Sequence, residues 1–348
     1  MKVSALGLMS GTSLDGIDIA LCQFDTENYS NFDIVEAKTF KYTDNLEKSL
    51  RYSTQLTAIE YVRLHRELGF FYGQLCKDFL KGRKVDFIAS HGHTSVHLPN
   101  QKVNFQLGDG ASIASASGFP VICDFRSIDI CLGGQGAPLV PIGDYFLFPQ
   151  YDALLNIGGF SNITIKKDNK IKAFDVCPAN FALNYFSQKL NLKFDEDGNL
   201  GIQGATNQDL LTKLNNLEYY KLPAPKSLSD HWFYEVFLPK INMFDIPTID
   251  ILRTLYEHIS QQIANTFNNN SIKKIIITGG GALNKFLVEL IKNKTHISID
   301  IPNKKIIEYK EALIFAFLGL LRWQNKNNCL KSVTGAIKDN IGGAIYLP

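Results

Sequence analysis

The first part of the chain alternates between short apolar runs and polar turns, a pattern typical of β-strands. Apolar runs at residues 3–9 and 17–22 meet at Asp15-Gly16, and this dipeptide between two such runs predicts a β-hairpin. A third run, residues 34–40, predicts another strand beside it. Apolar positions then recur at helical spacing over residues 57–81, which predicts a long amphipathic helix.

Two further apolar runs, residues 87–89 and 121–123, predict buried strands separated by a small-residue helix over residues 108–117. The first run leads into a predicted loop, residues 90–94, and the second ends at Asp124-Phe125-Arg126. Open α/β sheets bind ligands just past the carboxyl ends of their strands. We therefore expect these polar residues to contribute to a ligand site.

The second half of the chain repeats this order of elements. Strands are predicted at residues 153–156, 163–165 and 171–174, a Gly-rich turn at 158–162, a helix from Pro178 to about residue 190, a helix at 249–267 and a strand at 274–278. Residues 194–244 show little periodicity, which predicts an insertion that caps the second domain or shapes a cleft. The sequence thus predicts an α/β fold of two related domains, residues 1–145 and 146–348, with a central cleft.

Composition limits the functions that fit. The chain has 348 residues, 45% of them hydrophobic, which is enough for two domains with large cores. The formal net charge is only +2 and the lysine clusters are short, so we expect no nucleic-acid surface. Six scattered cysteines without a close pair suit a reducing cytosol. No basic leader and no apolar segment of bilayer length is evident, so we expect a cytoplasmic protein without a membrane partner.

The turn between the first two strands offers ligand-binding groups. Residues 10–13 have little side-chain bulk but several backbone N–H groups and hydroxyls, a combination that suits an anion such as phosphate. The same features fit a purely structural Gly-rich hairpin, and this segment alone leaves both interpretations open.

Seven runs along the chain together resemble the anhydro-N-acetylmuramic acid kinase family. They occur in the family's order and cover nearly the whole chain, so the match is more specific than one shared motif. The runs are residues 9–16 (MSGTSLDG), 90–94 (SHGHT), 133–141 (GGQGAPLVP), 155–159 (LNIGG), 223–227 (PAPKS), 279–282 (GGGA) and 332–336 (SVTGA).

The resemblance implies the two-domain actin-like sugar kinase fold, a duplicated ribonuclease H-like fold, in agreement with the repeat. It implies ATP-dependent phosphorylation of 1,6-anhydro-N-acetylmuramic acid with hydrolytic opening of its anhydro bridge, giving N-acetylmuramic acid 6-phosphate and ADP in cell-wall recycling. ATP and Mg²⁺ are then the expected cofactors, an amino sugar the expected substrate, and a homodimer the expected assembly. Domain closure about a hinge would exclude bulk water from the reaction.

The resemblance also implies which residues bind ATP. They are Gly11, Thr12, Ser13, Leu14, Asp15, Gly16, Ile17 and Asp18 of the phosphate hairpin, with Gly158, Gly159, Gly279, Gly280 and Gly281. Backbone amides would hold the phosphate oxygens while Mg²⁺ neutralises their charge. No metal ligand is assigned, because Asp15 could simply form the turn and Asp18 could be an exposed strand residue.

For the sugar, the resemblance implies Asp175 as the base that activates water, and His91, Asp124, Arg126 and Glu311 as substrate-binding residues. A carboxylate is the natural base for such a step, as in inverting glycosidases. The lactyl carboxylate of muramic acid is a sensible partner for an arginine.

Structural alternatives remain open for these residues. Asp175 could cap the helix that begins near Pro178, and Arg126 could pair with Asp124 or Asp129. The Glu311 carboxylate would stabilise the N-terminus of the helix predicted over residues 312–321 whether or not it binds a ligand. The pair His91 and His93, without a further ligand nearby in sequence, is a weak metal signal, and hydrogen bonding to the ligand is the expected role.

The chain departs from the family pattern beside the proposed base. Family members commonly carry Asp-Thr-Gly-Pro-Gly-Asn where this chain has Asp175-Val176-Cys177-Pro178-Ala179-Asn180, and His93 replaces the usual glutamine. Non-glycine backbone geometry is therefore expected at Cys177 and Ala179. The rival functions are an actin-like kinase for another amino sugar with a free hydroxyl, and a non-catalytic sugar or nucleotide sensor.

Overall fold

The computed structural model describes residues 1–11, 14, 16–167 and 170–348. These residues form two compact units. Unit 1 comprises Met1–Pro149 and Tyr309–Pro348, and unit 2 comprises Gln150–Glu308. Each unit contains one mixed β-sheet with helices packed against it.

The strands of the first 149 residues are β1 (Lys2–Ser10), β2 (Ile17–Asp25), β3 (Phe32–Phe40), β4 (Phe87–Leu98), β5 (Val103–Leu107) and β6 (Val121–Cys123). The helices are α1 (Asp44–Arg51), α2 (Ala58–Leu80), α3 (Gly110–Ser117), α4 (Ser127–Cys131) and α5 (Val140–Leu147).

Unit 2 contains β7 (Ala153–Ile157), β8 (Phe160–Lys167), β9 (Lys170–Pro178), β10 (Lys274–Thr278) and β11 (Ser298–Asp300). Its helices are α6 (Asn180–Gln188), α7 (Gln208–Asn215), α8 (Glu218–Lys221), α9 (Asp230–Trp232), α10 (Leu238–Ile241), α11 (Thr248–Asn269) and α12 (Lys285–Asn293). The chain ends with α13 (Lys304–Trp323), α14 (Lys331–Thr334) and β12 (Ala344–Tyr346).

The two sheets repeat one topology. Their strand orders are β12-β6-β4-β1-β2-β3 and β11-β10-β7-β8-β9. In each, three successive strands are antiparallel, the next strand pairs in parallel with the first of them, and a further strand pairs in parallel with that one. This is the ribonuclease H-like order, so the predicted duplication of an α/β fold is confirmed.

Local sequence explains where the long helix of unit 1 begins. The Thr57 hydroxyl accepts a hydrogen bond from the Glu60 N–H, while the Glu60 carboxylate accepts from the Thr57 N–H at 2.9 Å, forming a capping box. The helix ends where Lys81 adopts a left-handed conformation, with φ 51°. These limits match the helix predicted over residues 57–81.

One predicted loop is wrong. Residues 90–94 were expected to follow a short strand, but they lie within the twelve-residue strand β4. The reason is tertiary: β5 pairs antiparallel with the second half of β4, placing His93 opposite Leu107. Gly92, at φ 73°, bends the strand at this point.

The C-terminal segment belongs to unit 1, whereas the sequence-based division assigned it to the second domain. Helix α13 is kinked at Tyr309 (φ −118°, ψ 16°), where the chain re-enters unit 1. Beyond the kink the helix packs so closely on β1 that a Cβ added to Gly7 would lie 1.9 Å from the Ala312 carbonyl oxygen. Strand β12 then pairs antiparallel with β6. Residues 309–348 are therefore an integral part of unit 1, with the buried face of α13 in its core.

This close approach predicts that Gly7→Ala destabilises the protein by about 1–3 kcal/mol or more, because the backbone of α13 must move away from β1. The free energy of unfolding from urea titrations measures the effect. Gly280→Ala is the matched control, since an added Cβ there meets its nearest atom, Asn180 Nδ2, at 3.7 Å. Equal stability of Gly7→Ala and the wild type would contradict the packing described.

Candidate active site

Asp175 is held in place by a segment that is distant in sequence. It lies half-buried on the edge strand β9, and its Oδ2 accepts a hydrogen bond from the Leu228 N–H at 2.8 Å. Its backbone N–H donates to the Lys226 carbonyl at 3.1 Å, and its carbonyl accepts from the Tyr219 hydroxyl at 2.6 Å. Residues 219–228 thus bind the backbone and one carboxylate oxygen, and they lie inside the predicted insertion 194–244.

Burial raises the pKa of Asp175 above its usual value, and the Leu228 N–H opposes that rise. A carboxylate with a raised pKa is a stronger base once it is ionised, which is the property a water-activating group needs. The helix-capping alternative is wrong, because α6 begins after Ala179 without a side-chain cap and Pro178 is the last residue of β9.

The residues that depart from the family pattern are buried in unit 2. Val176, Cys177 and Ala179 belong to its hydrophobic core, and Cys177 Sγ lies 3.3 Å from Ser161 Oγ. Burial raises the pKa of the Cys177 thiol to about 12, so this thiol is inert at neutral pH. Ala179 has φ −123° and ψ −103°, which lies outside the α and β regions that non-glycine residues favour, so the expected non-glycine geometry is not found at this position. The departures therefore alter core packing behind Asp175, whose carboxylate is bonded to Leu228.

The candidate glycines of unit 2 fall into two groups. Gly279 (φ 81°) and Gly281 are required by packing, because an added Cβ would lie 2.7 and 2.2 Å from atoms of Asn156 and Ile157. Gly158, Gly159 and Gly280 have room instead, since an added Cβ would meet no described atom closer than 3.4, 3.7 and 3.7 Å respectively. At these three positions the backbone is open to close approach by a ligand.

Part of the candidate phosphate hairpin, Thr12, Ser13 and Asp15, lies outside the described residues. Of the remainder, Leu14 is buried at φ 60° and Ile17 is fully buried. Gly16, at φ 146°, would place a Cβ 2.3 Å from the Phe40 carbonyl oxygen, so packing alone requires a glycine there. Asp18 and Gly11 are partly exposed, and Asp18 Oδ1 accepts a hydrogen bond from the Thr39 hydroxyl at 2.6 Å.

Two sugar-site candidates of unit 1 contact each other. Arg126 Nη2 lies 2.8 Å from His91 Nε2, and Nη1 donates to the Gly136 carbonyl at 2.6 Å. An arginine only donates, so His91 Nε2 must be the acceptor and the ring proton must sit on Nδ1. Burial and then the Arg126 charge lower the pKa of His91 to about 3, which keeps the ring neutral. Within the described residues, Arg126 forms no ion pair with Asp124 or Asp129, so that alternative is wrong.

Asp129 organises this region, a role that sequence reasoning did not assign to it. It is fully buried and accepts hydrogen bonds from the Gly136 N–H, the Thr334 hydroxyl and the Asn340 amide, each at 2.8 Å. Gly134 has no room for a Cβ beside it. One carboxylate therefore joins the 133–141 and 332–336 runs and fixes the carbonyl that Arg126 contacts.

Glu311 and Asp124 are open to solvent. Two helical segments of α13 meet at the Tyr309 kink, and Glu311 lies in the first turn of the second segment, so the predicted position at a helix N-terminus is confirmed. Protein atoms crowd around it despite its exposure, and this desolvation is the main reason its pKa is raised; Lys310 and Arg126 oppose the rise, while Asp18 and Asp144 add to it. Asp124, at φ 59°, accepts a hydrogen bond from the Ser127 hydroxyl.

His93 ends a buried chain of hydroxyl groups. The Tyr42 hydroxyl donates to Ser10 Oγ at 2.7 Å, Ser10 Oγ lies within hydrogen-bond distance of His93 Nδ1 at 3.1 Å, and Tyr72 supplies a further hydroxyl 2.7 Å from Tyr42. Burial lowers the pKa of His93 to about 4, so it is neutral at physiological pH. This chain fixes the end of β1, immediately before the phosphate hairpin.

Comparison with known proteins decides the family. The model of the anhydro-N-acetylmuramic acid kinase family matches residues 3–348. The chain is 36% identical to the anhydro-N-acetylmuramic acid kinase of Francisella tularensis subsp. novicida over 98% of this chain and 97% of that one, and 33% identical to that of Hydrogenovibrio crunogenus over 99% and 98%. The chain belongs to the anhydro-N-acetylmuramic acid kinase family.

Among solved structures, the chain is similar to a ROK family glucokinase from Streptomyces griseus in complex with glucose and AMPPNP. The identity is 13%, the TM-score is 0.40, and 90% of this chain and 98% of that chain are covered.

The match to the family model spans every candidate residue named above. In the described part of the chain, no cluster of side chains is suited to holding a metal ion, and no helix combines the length and apolarity needed to cross a bilayer.

The neutral state of His93 predicts a pH-dependent stability. Its pKa in the folded protein, about 4, lies below that of an unfolded histidine, so the unfolded state binds a proton first as the pH falls below about 6.5. Between pH 7 and pH 5 this proton uptake lowers the free energy of unfolding by about 2 kcal/mol. His93→Gln should remove that loss, and its side-chain amide can still hydrogen-bond to Ser10. Urea unfolding at both pH values measures it.

His231→Gln is the control for this experiment, because His231 is exposed. The wild type and His231→Gln should lose the same stability between pH 7 and pH 5. An equal loss in His93→Gln would mean that His93 is charged in the folded protein.

Proposed function

We propose that this protein phosphorylates 1,6-anhydro-N-acetylmuramic acid with ATP and hydrolyses its anhydro bridge in the same reaction, giving N-acetylmuramic acid 6-phosphate and ADP in cell-wall recycling. Membership of the family along the whole chain supports the kinase activity and the substrate. The observation that carries the hydrolytic step is the half-buried Asp175 carboxylate, which has a raised pKa and is oriented by the Leu228 N–H.

The substrate's chemistry explains why a base is needed. In the anhydro sugar O6 is bonded to C1 and carries no proton. Water attacks C1 and gives up a proton to Asp175, the C1–O6 bond breaks, and O6 takes the γ-phosphoryl group of ATP as ADP leaves. One water, one ATP and one anhydro sugar are consumed, and the proton on Asp175 is later released to solvent.

The unit 1 candidates supply complementary groups for the sugar. Two of the five N–H groups of Arg126 contact His91 and Gly136, which fixes the guanidinium and leaves others for the lactyl carboxylate. Asp124 and Glu311 are exposed carboxylates that can accept hydrogen bonds from sugar hydroxyl or amide groups. Asp129 acts as a positioning residue for Arg126 through Gly136.

The residues present fit a nucleotide. The open backbone at Gly158, Gly159 and Gly280 leaves space that a side chain would fill, and backbone amides at such turns suit phosphate oxygens. Mg²⁺ would supply charge neutralisation, and in kinases it is bound largely by phosphates and water with one or two carboxylates. We also propose a cytoplasmic homodimer; the free state of all six cysteines supports the location, and the family resemblance supports the assembly.

Asp175→Asn tests the base. The variant should lose at least about 10³-fold in kcat because an amide cannot accept the water proton, while the Kd for ATP stays unchanged. Asp152→Asn is a matched control, since Asp152 Oδ2 also accepts backbone N–H groups, at 2.9 Å from Lys273 and Lys274. Phosphorylation at the wild-type rate by Asp175→Asn would overturn the assignment.

Oxygen-18 water tests the coupled reaction. With ATP, Mg²⁺ and the anhydro sugar, mass spectrometry should find a 6-phosphorylated sugar labelled at C1 when it is analysed before anomeric exchange. A product without label would separate phosphorylation from hydrolysis. ATP binding without any phosphorylated product would favour a non-catalytic sugar or nucleotide sensor. Turnover only of an amino sugar with a free 6-hydroxyl would favour an actin-like kinase for another amino sugar.

Gly280→Ala tests the nucleotide assignment. We expect the KM for ATP to rise about tenfold, equivalent to about 1.4 kcal/mol, because the new methyl group occupies the open side of the backbone. The midpoint of thermal unfolding should stay within a few degrees of the wild type, since no described atom lies within 3.7 Å of that Cβ. An unchanged KM would exclude close approach of ATP at Gly280.

A further inference from the structure

A polar groove in unit 2 has no role in the reaction described above. It lies between β9, residues 215–226 and the C-terminal half of α11, and its volume is about 560 Å³, within the range of small-ligand sites. Amide side chains form much of its wall. They include Asn215, Asn216, Gln261, Gln262, Asn265 and Asn269.

Two lysines of the groove lie near the same aromatic ring. Lys172 Nζ is 5.6 Å and Lys226 Nζ is 5.9 Å from the centre of the Phe174 ring. Burial and then the charge of Lys172 lower the pKa of Lys226. No carboxylate is among the described residues that line the groove, and Glu218 is bonded to Lys221 at 2.7 Å. An anion in the groove would therefore relieve the repulsion between Lys172 and Lys226.

Buried hydrogen bonds make one wall of the groove rigid. Asn215 Oδ1 accepts from Gln262 Nε2 at 2.9 Å, which sets the orientation of its amide group. His258 Nδ1, 2.7 Å from the same oxygen, must then donate, and His258 Nε2 accepts from the Tyr220 hydroxyl at 2.8 Å. Burial lowers the pKa of His258 to about 3, so this network is neutral and the lysines supply the charge. Asn215, Gln262 and Tyr220 all line the groove.

We propose that this groove is a second binding site, for an anionic monosaccharide that carries a phosphate or a carboxylate group. Amide groups offer a donor and an acceptor side by side, which matches sugar hydroxyls. Phe174 and Tyr220 add aromatic surface to the lining, which suits the apolar C–H groups of a pyranose, and the two ammonium groups bind the anion.

Occupancy of the groove bears on Asp175. Lys226 lines the groove with its side chain, and its carbonyl accepts the backbone N–H of Asp175. Its Nζ also donates to the Tyr219 carbonyl at 3.0 Å. A ligand that holds Lys226 therefore stabilises the same segment that donates the Leu228 N–H to the Asp175 carboxylate.

Isothermal titration calorimetry without ATP tests the site independently of turnover. N-acetylglucosamine 6-phosphate and N-acetylmuramic acid probe the phosphate and carboxylate sources, and neutral N-acetylglucosamine should bind at least tenfold more weakly than the better of the two. Failure of both anionic sugars to bind at millimolar concentration would overturn the site, whatever the outcome of the activity assays.

Variants locate the binding. Lys172→Met and Lys226→Met should each weaken binding of the better probe at least tenfold, because each removes one charge and keeps an apolar stem. Lys189→Met is the matched control: Lys189 also lies over aromatic rings of unit 2, 5.0 Å from Tyr185 and Phe186, but outside the groove. Binding unaffected by both groove variants, or abolished by Arg126→Lys instead, would overturn the proposal.

Hydrogen exchange tests the link to Asp175. The better probe should slow exchange of the peptide that contains residues 226–228, since ordering Lys226 reduces opening of the Leu228 and Asp175 hydrogen bonds. Lys172→Met should remove this protection at the same probe concentration. Protection that persists in the variant would show that the effect arises at another site.

Discussion

The close contact between β1 and helix α13 is the constraint on which unit 1 depends. A glycine at position 7 lets the backbone at Ala312 lie against the sheet, and no residue with a Cβ fits there. This contact brings a segment from the end of the chain into the first unit. It places Glu311 where the charges of Arg126 and Asp18 act on it. The position of Glu311, the last of the proposed sugar-binding residues in the chain, is therefore set by packing rather than by sequence proximity.

The same principle holds at Asp175 in unit 2. Its strand is an edge strand, so its backbone is open to hydrogen bonding by another segment, and residues 219–228 fill that position. The resulting bond from Leu228 orients the carboxylate, while burial keeps its pKa raised. Two opposing effects thus leave a carboxylate that is fixed in direction yet retains basicity, which suits proton transfer from water.

The buried histidines His91 and His258 are neutral, and the buried Asp129 carboxylate accepts several hydrogen bonds. His91 and His258 keep depressed pKa values because each is buried, and their hydrogen bonds fix which ring nitrogen carries the proton. The Asp129 carboxylate accepts hydrogen bonds from three donors, which holds it in place. In the groove beside α11, by contrast, Lys172 and Lys226 repel each other across a ring face. That contrast is the physical basis of the proposed second site.

The sequence by itself determined the local elements and the repeat. Strand and helix periods, the Thr57 cap and the order of motifs depend on neighbours in the chain, so the duplicated α/β fold and the family could be predicted from it. The sequence could not predict four other features. They are the continuation of β4 through His93, the return of residues 309–348 to unit 1, the partners of Asp175 and the role of Asp129. Each depends on contacts with another segment of the chain, from His93 opposite Leu107 in the β4–β5 pair to Asp129 with Thr334, 205 positions apart, and only the tertiary structure decides such contacts.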